Sequence, residues 1–173
     1  MITIISATNR PNSNTLKIAK CYEELMKNQG VVPKLLSLES LPIDIAFNEL
    51  YGKRSQEFQK IETEFIIPAN KFVFIVPEYQ GSIPGILKVF LDALPPDQNR
   101  NKKAVLIGIS TGRAGNLRGM DHLTTILHYL GIHVHPNKQP ISQVANLLDL
   151  DGKIKDENTL KVLNKQITDF LNW

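Results

Sequence analysis

Three short stretches carry most of the residues able to do chemistry in this chain. The first is SATNRPNSNT (6–15), with Ser6, Thr8, Asn9, Arg10, Ser13, Asn14 and Thr15 gathered just ahead of a helical pattern. Hydroxyls and backbone N–H groups at a helix N-terminus make an anion site that the helix dipole reinforces. The Arg10 guanidinium adds charge-assisted, bidentate hydrogen bonding suited to a phosphate. The stretch contains no glycine, so it is not the G-x-G-x-x-G turn that lets backbone approach a pyrophosphate, and no G-K-[S/T] triplet marks a P-loop. A hydroxyl-rich turn suits a terminal phosphate monoester. The plainer alternative is that Ser13 serves only as the helix N-cap.

The second stretch, VPEYQGSIPG (76–85), interrupts the apolar run FVFIV (72–76) with an acid, an aromatic and an amide between two prolines. Tyr79 is a flat partner, and Gly81 permits close approach of a planar ligand to the backbone. Pro84 fits the first turn of a following helix, where its missing N–H costs nothing. As a mere turn, with Ser82 or Ile83 as a cap, the stretch leaves Glu78 and Gln80 without a purpose. The third stretch, STGRAGNLRG (110–119), places two hydroxyls and two glycines ahead of another helix. Its N–H groups suit the polar edge of a ring or a developing negative charge. A glycine-rich loop alone says little, and its position beside the other two gives it weight.

The elements that must position these stretches are read from periodicity. Short apolar runs at ITIIS (2–6), PKLLSL (33–38), FVFIV (72–76), AVLIGI (104–109) and IHVH (132–135) read as strands. Helical stripes lie between and after them: Leu16, Ala19, Tyr22 and Met26; Phe58, Ile61 and Phe65; Leu87, Phe90 and Leu94; Leu117, Met120, Thr124 and Leu127; Leu160, Leu163, Ile167 and Phe170. Gly30 and Gly131 stand where two of these helices should stop. Strands alternating with helices predict an α/β, flavodoxin-like three-layer sandwich: a five-stranded parallel sheet in the order 2-1-3-4-5 with helices on both faces. The near-continuous apolar strands agree with burial on both sides. All three stretches then leave carboxyl ends of strands and converge on one edge of the sheet, where such folds bind ligands. The segment around Asp97 to Asn101 falls at the opposite edge and reads as an ordinary polar turn. A phosphate at the first loop and a flat ring between the third- and fourth-strand loops describe a mononucleotide; in the flavodoxin-type order that ligand is FMN.

The chain's 173 residues suit one domain, 1–173, with a sizeable core. Acids and bases interleave to a net charge of +3, and no basic run with aromatic platforms argues for nucleic acid. No apolar run is long enough to span a membrane, and MITIISATNR reads as a first strand rather than a signal peptide. With a single Cys21 there is no internal disulfide, so a cytoplasmic location is expected.

The residues now described resemble a known family. PEYQGSIPGILKVFLD is similar to the PEYNGSIPGxLKNAIDW signature of the NADPH-dependent FMN reductases, flavodoxin-like NAD(P)H:flavin, quinone and azo reductases. SATNRPNSNTLKIA resembles that family's GSxRxxSxxxxLA loop, and STGRAGNLRGMDHL its STGGxGGxRAxxHLR segment. The likeness runs in order from the first strand through the fourth helix. It implies that Thr8, Arg10, Ser13, Asn14 and Thr15 hold the FMN phosphate. It implies further that Pro77, Glu78, Tyr79, Gln80, Gly81 and Ser82 border the isoalloxazine ring, and that Thr111 and Gly112, with neighbouring Ser110 and Gly115, contact its pyrimidine edge. Three positions depart from the pattern: Ser6 stands for the usual Gly, Gln80 for Asn and Arg113 for Gly. Arg113 adds positive charge beside the cofactor, where it bears on the choice of pyridine nucleotide or acceptor.

The implied function is an FMN-dependent oxidoreductase: hydride from NADPH or NADH reaches bound FMN and leaves to a flavin, quinone, azo or similar acceptor. The flavin carries the chemistry, so no side chain is assigned as acid, base or nucleophile. Two other functions remain open at this point: an FMN-binding electron carrier that does not oxidise NAD(P)H, against which the basic charge speaks, and a cofactor-free interaction module, against which the intact first loop speaks. The family is commonly dimeric or tetrameric, so a homodimer or homotetramer is expected, with interface surface offered by the helices around Phe58 and Phe90. Three further features are expected to be structural. His133 and His135 alternate along a strand and would share a side, without carboxylate or Cys partners for a metal; Cys21 is a small buried hydrophobe; and Lys155, Glu157, Lys161 and Lys165 form a solvated face.

Overall fold

The computed structural model describes residues 1–51 and 54–173. In chain order it runs β1 (Ile2–Ser6), α1 (Asn14–Asn28), β2 (Lys34–Ser37), α2 (Ile45–Asn48) and α3 (Gln56–Ile61). It continues through β3 (Lys71–Pro77), α4 (Gly85–Ala93), β4 (Lys103–Ile109) and α5 (Leu117–Tyr129). The chain closes with β5 (His133–Val134), β6 (Gln139–Ile141), α6 (Val144–Leu147) and α7 (Glu157–Asn172). The strands pair in parallel in the order β2-β1-β3-β4-β5, as the sequence predicts.

Strand alternation sends side chains to two separate cores. Ile4, Val73, Ile75, Val105 and Ile107 meet α1 and α7 through Ile18, Tyr22, Leu163, Ile167 and Phe170. Ile5, Phe72, Phe74 and Leu106 meet the other helical layer through Phe58, Leu87, Phe90, Leu123 and Leu127. Burial of these aromatic and branched side chains is the main stabilising term, at about 1.5–3 kcal/mol for each fully buried one. Gly30 and Gly131 end their helices at φ +80 and +74, the left-handed conformation that a stop after α1 and α5 requires. Among the described residues no helix is long and apolar enough to cross a membrane.

Several expectations are corrected. The fifth strand is not one piece. β5 pairs Lys103–Ala104 with His133–Val134, and β6 resumes along the same strand at Ile107–Ile109 with Gln139–Ile141. Pro136, which has no N–H to give the ladder, lies in the gap. Gln166 of α7 reaches into that gap: its Nε2 donates to Leu106 O (3.3 Å) and Asn137 O (2.7 Å), while its Oε1 accepts from Tyr22 Oη. A fully buried amide thereby satisfies carbonyls that the broken strand leaves without ladder partners. A π-helical turn, Glu62–Ile66, follows α3 and moves the buried position from the expected Phe65 to Ile66. Leu117, expected on the inward stripe of α5, is exposed. The Phe58 and Phe90 rings stack edge to face in the core at 6.4 Å.

The two histidines differ in burial. His133 is exposed, whereas His135 is buried against Phe170 and Trp173 and accepts a hydrogen bond from the Asn137 N–H. Among the described residues no His, Cys, Asp and Glu group together as a metal site. Burial lowers the His135 pKa, opposed by Asp169 and reinforced by Lys71. The unfolded chain therefore binds a proton that the folded chain resists, and stability falls as pH drops through the ordinary His range of about 6.5 and below. The melting temperature of the native chain is expected to drop more between neutral and mildly acidic pH than that of His135→Asn, followed by circular dichroism; equal drops would refute it.

Cys21 is buried and donates to Gly152 O, as expected of a structural thiol, and burial pushes its pKa up. Lys155, Glu157, Lys161 and Lys165 are all exposed.

Candidate functional site

The three stretches meet at the carboxyl edge of the sheet around one cleft of about 700 Å³. Arg10, Pro11, Asn12, Ser13, Asn14 and Thr15 line one end; Pro77, Glu78, Tyr79 and Gln80 line a wall; Ile109, Ser110, Thr111 and Val144 complete it. Pro11, Asn12, Ile109 and Val144 join the expected set. Thr8, Gly81, Ser82, Gly112 and Gly115 belong to the same loops and are not among the residues that line the cleft.

At the first loop, Ser13 is the N-cap of α1, its Oγ accepting from the Leu16 N–H at 3.1 Å. The cap role and a ligand role are compatible, because the Ser13 hydroxyl proton is still available to donate. Among the described residues no hydrogen bond engages the N–H groups of Asn12, Ser13, Asn14 or Thr15. With the Arg10 side chain, likewise without a partner there, they form a concentrated set of free donors at the positive end of a helix of 15 residues. Thr8 is tied to neighbouring groups. Its buried Oγ1 shares a hydrogen bond with Tyr79 Oη (2.8 Å) and accepts the Arg10 N–H (3.2 Å), tying this loop to the next.

The third-strand loop closes on itself. Tyr79 N–H donates to Ser82 O and Ser82 N–H to Tyr79 O, both at 3.0 Å, around Gln80 (φ 52) and Gly81 (φ 74). Two successive positive φ values make this a type I′ turn. Asn tolerates that conformation better than Gln, which gives a physical reason for Asn as the usual residue at position 80. A Cβ built on Gly81 meets nothing within 4 Å, so the backbone is open there. The N–H groups of Gln80 and Gly81 have no partner among the described residues. Pro84 is the cap residue of α4 rather than part of its first turn.

Glu78, unexplained as a turn residue, has a clear structural task. Its N–H bonds Ile109 O across β3 and β4. Its carboxylate accepts the Asn116 N–H at 3.3 Å and lies 3.8 Å from the Arg118 guanidinium. A carboxylate at the N-terminus of α5 opposes the helix dipole. Asn116 itself is buried with φ 60, its Nδ2 donating to Val76 O. These bonds lock the third- and fourth-strand loops together.

The fourth-strand loop is folded by its own serine. Ser110 Oγ donates to Gly112 O and accepts the Gly115 N–H, both at 2.9 Å. Gly115 therefore spends its N–H internally, leaving those of Thr111, Gly112, Arg113 and Ala114 free among the described residues. The loop leans on β6 and α6 through Ser110 N–H to Ile141 O and Gln143 N–H to Gly112 O. Gly108, which sequence reading passes over inside an apolar run, is needed beneath it: a Cβ there would meet Gly115 O and come within 2.9 Å of Met120 Cε. Only an orphan glycine in a strand signals such a close approach. Arg113 is exposed, and Ser6 is fully buried at the end of β1 with its Oγ lacking any partner. An unpaired buried hydroxyl costs about 1–3 kcal/mol, so Ser6→Ala is expected to raise the urea midpoint, by about 1 kcal/mol of stability. A lower midpoint would show that the hydroxyl is satisfied in solution.

The donor set suits a phosphate monoester at one end and a flat, acceptor-edged ring at the other. Comparison with known proteins agrees. Residues 1–146 match the family described as NADPH-dependent FMN reductase. An NAD(P)H-dependent FMN reductase of Pseudomonas aeruginosa is 31% identical over 153 residues, covering 83% of this chain and 82% of that protein. A quinone reductase of Escherichia coli K12 is 33% identical over 151 residues, 81% of this chain and 80% of the relative. In fold, the chain superposes on the FerB NAD(P)H:(acceptor) oxidoreductase from Paracoccus denitrificans with a TM-score of 0.82 at 24% identity, covering 99% and 95% of the two chains. An archaeal flavodoxin gives 0.64 at 12% identity, covering 98% of this chain and 95% of that one.

The chain belongs to the NADPH-dependent FMN reductase family. It is a flavodoxin-like, FMN-dependent oxidoreductase that draws on NAD(P)H.

Proposed function

We propose that the three loops hold FMN across the cleft, within one FMN-binding domain of residues 1–173, and that the electrons leave to a quinone or a similar small acceptor. The observation that supports this most is the clustering of free N–H donors at both ends of one cleft. Held by these loops, FMN would supply the hydride and electron chemistry between NADPH or NADH and the acceptor.

The chain's own residues supply binding and orientation. Arg10, the Ser13 and Thr15 hydroxyls and the free N–H groups of residues 12 to 15 grip the phosphate. Asn14 joins them through its backbone at the first turn of α1. Pro77, Glu78, Tyr79, Gln80 and Gly81 seat the ring. Ser82 closes their turn. Thr8 holds Tyr79 by its hydroxyl. The free N–H groups of Thr111 to Ala114 donate to the pyrimidine edge and oppose negative charge there, and Ser110 and Gly115 keep that loop in shape.

Quinone as acceptor class is supported by the relatives named quinone reductase. The charge balance and the family place the alternative, a carrier that binds FMN without oxidising NAD(P)H, second. We also assign the enzyme to the cytoplasm, as a homodimer or homotetramer; the lone buried Cys21 and the exposed apolar Ile43, Phe47 and Tyr51 support these assignments. The test is a pair of measurements on the purified apoprotein. FMN should bind more tightly than riboflavin, and the FMN-loaded enzyme should turn over 1,4-benzoquinone with NADPH or NADH. Equal affinity for the two flavins would remove the phosphate site, and absence of quinone turnover would remove the acceptor class.

A further inference from the structure

The turn that seats the ring in this reading is fastened at both of its ends by side chains that do not line the cleft. At one end Thr8 Oγ1 meets Tyr79 Oη at 2.8 Å. At the other, Ser82 Oγ meets His122 Nδ1 at 2.8 Å, from the middle of α5. Between these ends the turn contributes Tyr79 and Gln80 to the cleft wall, with the free N–H groups of Gln80 and Gly81 between them. We infer that His122 is a positioning residue of the enzyme: it fixes the Tyr79–Ser82 turn on α5 and so sets the ring end of the FMN site without touching the ligand. The inference rests on the assignment of the cleft to FMN.

The physical case has three parts. A type I′ turn is held internally only by its paired backbone bonds, Tyr79 to Ser82 and back, and the Glu78 anchors precede it, so they leave its Ser82 end to swing. Thr8 restrains the Tyr79 end alone. His122 restrains the other end and does so from a rigid element, whose own N-terminus is locked to the same loop through Glu78 and Asn116. The bond also tolerates either imidazole tautomer, because the Ser82 hydroxyl both donates and accepts. Pre-organising a ligand seat in this way improves affinity by reducing the ordering that binding must otherwise bring about.

The inference predicts a pattern confined to the ring end. His122→Leu and Ser82→Ala should each weaken FMN binding by about 2- to 10-fold, the range of one neutral hydrogen bond, and weaken riboflavin binding by the same factor. The double variant should be no worse than either single one. His122→Asn, which can present an amide near the Nδ1 position, should recover most of the affinity. The visible circular dichroism of bound FMN should change in His122→Leu and revert in His122→Asn, while the apoprotein melting temperature stays that of the native chain. The inference is overturned if riboflavin affinity is unmoved, if the two substitutions add, or if apoprotein melting falls in step with affinity. Should the native apoprotein bind neither flavin, the assignment of the cleft fails first and this inference with it.

Discussion

Gly115→Ala is expected to cost the protein both stability and flavin. Gly115 lies at φ +58, and a Cβ there would stand 2.5 Å from Pro140 Cβ and 3.0 Å from Pro140 backbone atoms. The left-handed backbone costs an alanine about 1–2 kcal/mol, and overpacking against β6 adds about 1–3 kcal/mol. The neighbour that must yield is a proline in the sheet, not the end of a flexible chain. The loop can escape only by moving away from β6, which breaks the Ser110 Oγ bonds to Gly112 and Gly115 and shifts the free donors of residues 111 to 114. A fall of roughly 2–5 kcal/mol in urea unfolding, with loss of FMN affinity, is the expected result. Native stability in this variant would mean that the loop does not pack on Pro140 in solution.

Arg10→Ala carries the second large effect, and it acts on the ligand alone. The side chain is exposed and has no partner among the described residues, so the fold loses nothing. A hydrogen bond to a charged group is worth about 1.5–3 kcal/mol, which corresponds to roughly a 10- to 100-fold weaker FMN complex. Riboflavin, which lacks the phosphate, should bind the variant and the native chain alike. That contrast distinguishes a phosphate contact from a general disturbance, and it is opposite to the pattern expected of His122. Fluorescence titration of the apoproteins measures both, and an equal loss for both flavins would place Arg10 elsewhere in the site.

Much of this architecture is legible in the sequence because its signals are local. The apolar runs fix the strands, and the position of each polar loop after its strand fixes the edge at which the loops meet. The parts that escape sequence reading depend on distant partners. IHVHPNKQPIS reads as one strand followed by a loop, because nothing in it announces that Gln166, far along the chain, fills the gap between β5 and β6. Glu78 reads as a ligand candidate and lines the cleft, and only the fold brings the Asn116 N–H at the start of α5 to its carboxylate. Thr8 reads as one more hydroxyl of an anion loop, and only the fold brings Tyr79 to it. Leu117 sits on the expected helical stripe, but it is the first residue of α5 and projects beyond the core. The π-helical turn after α3 moves the buried side by one residue, a shift that a fixed period of 3.6 cannot foresee.

The roles of the departures from the family pattern also become physical. Gln80 occupies a left-handed position that Asn fits better, and Ser6 buries a hydroxyl that glycine would not carry. Arg113 keeps its charge in solvent beside the free donors of the fourth-strand loop.

The most direct test of the account is anaerobic mixing of the FMN-loaded protein with NADPH, followed by absorbance at the flavin band near about 450 nm, a position set by the cofactor itself. The account predicts rapid bleaching, and return of the band when a quinone is added. A bound flavin that keeps its colour in NADPH would contradict it and leave an FMN-binding electron carrier in its place.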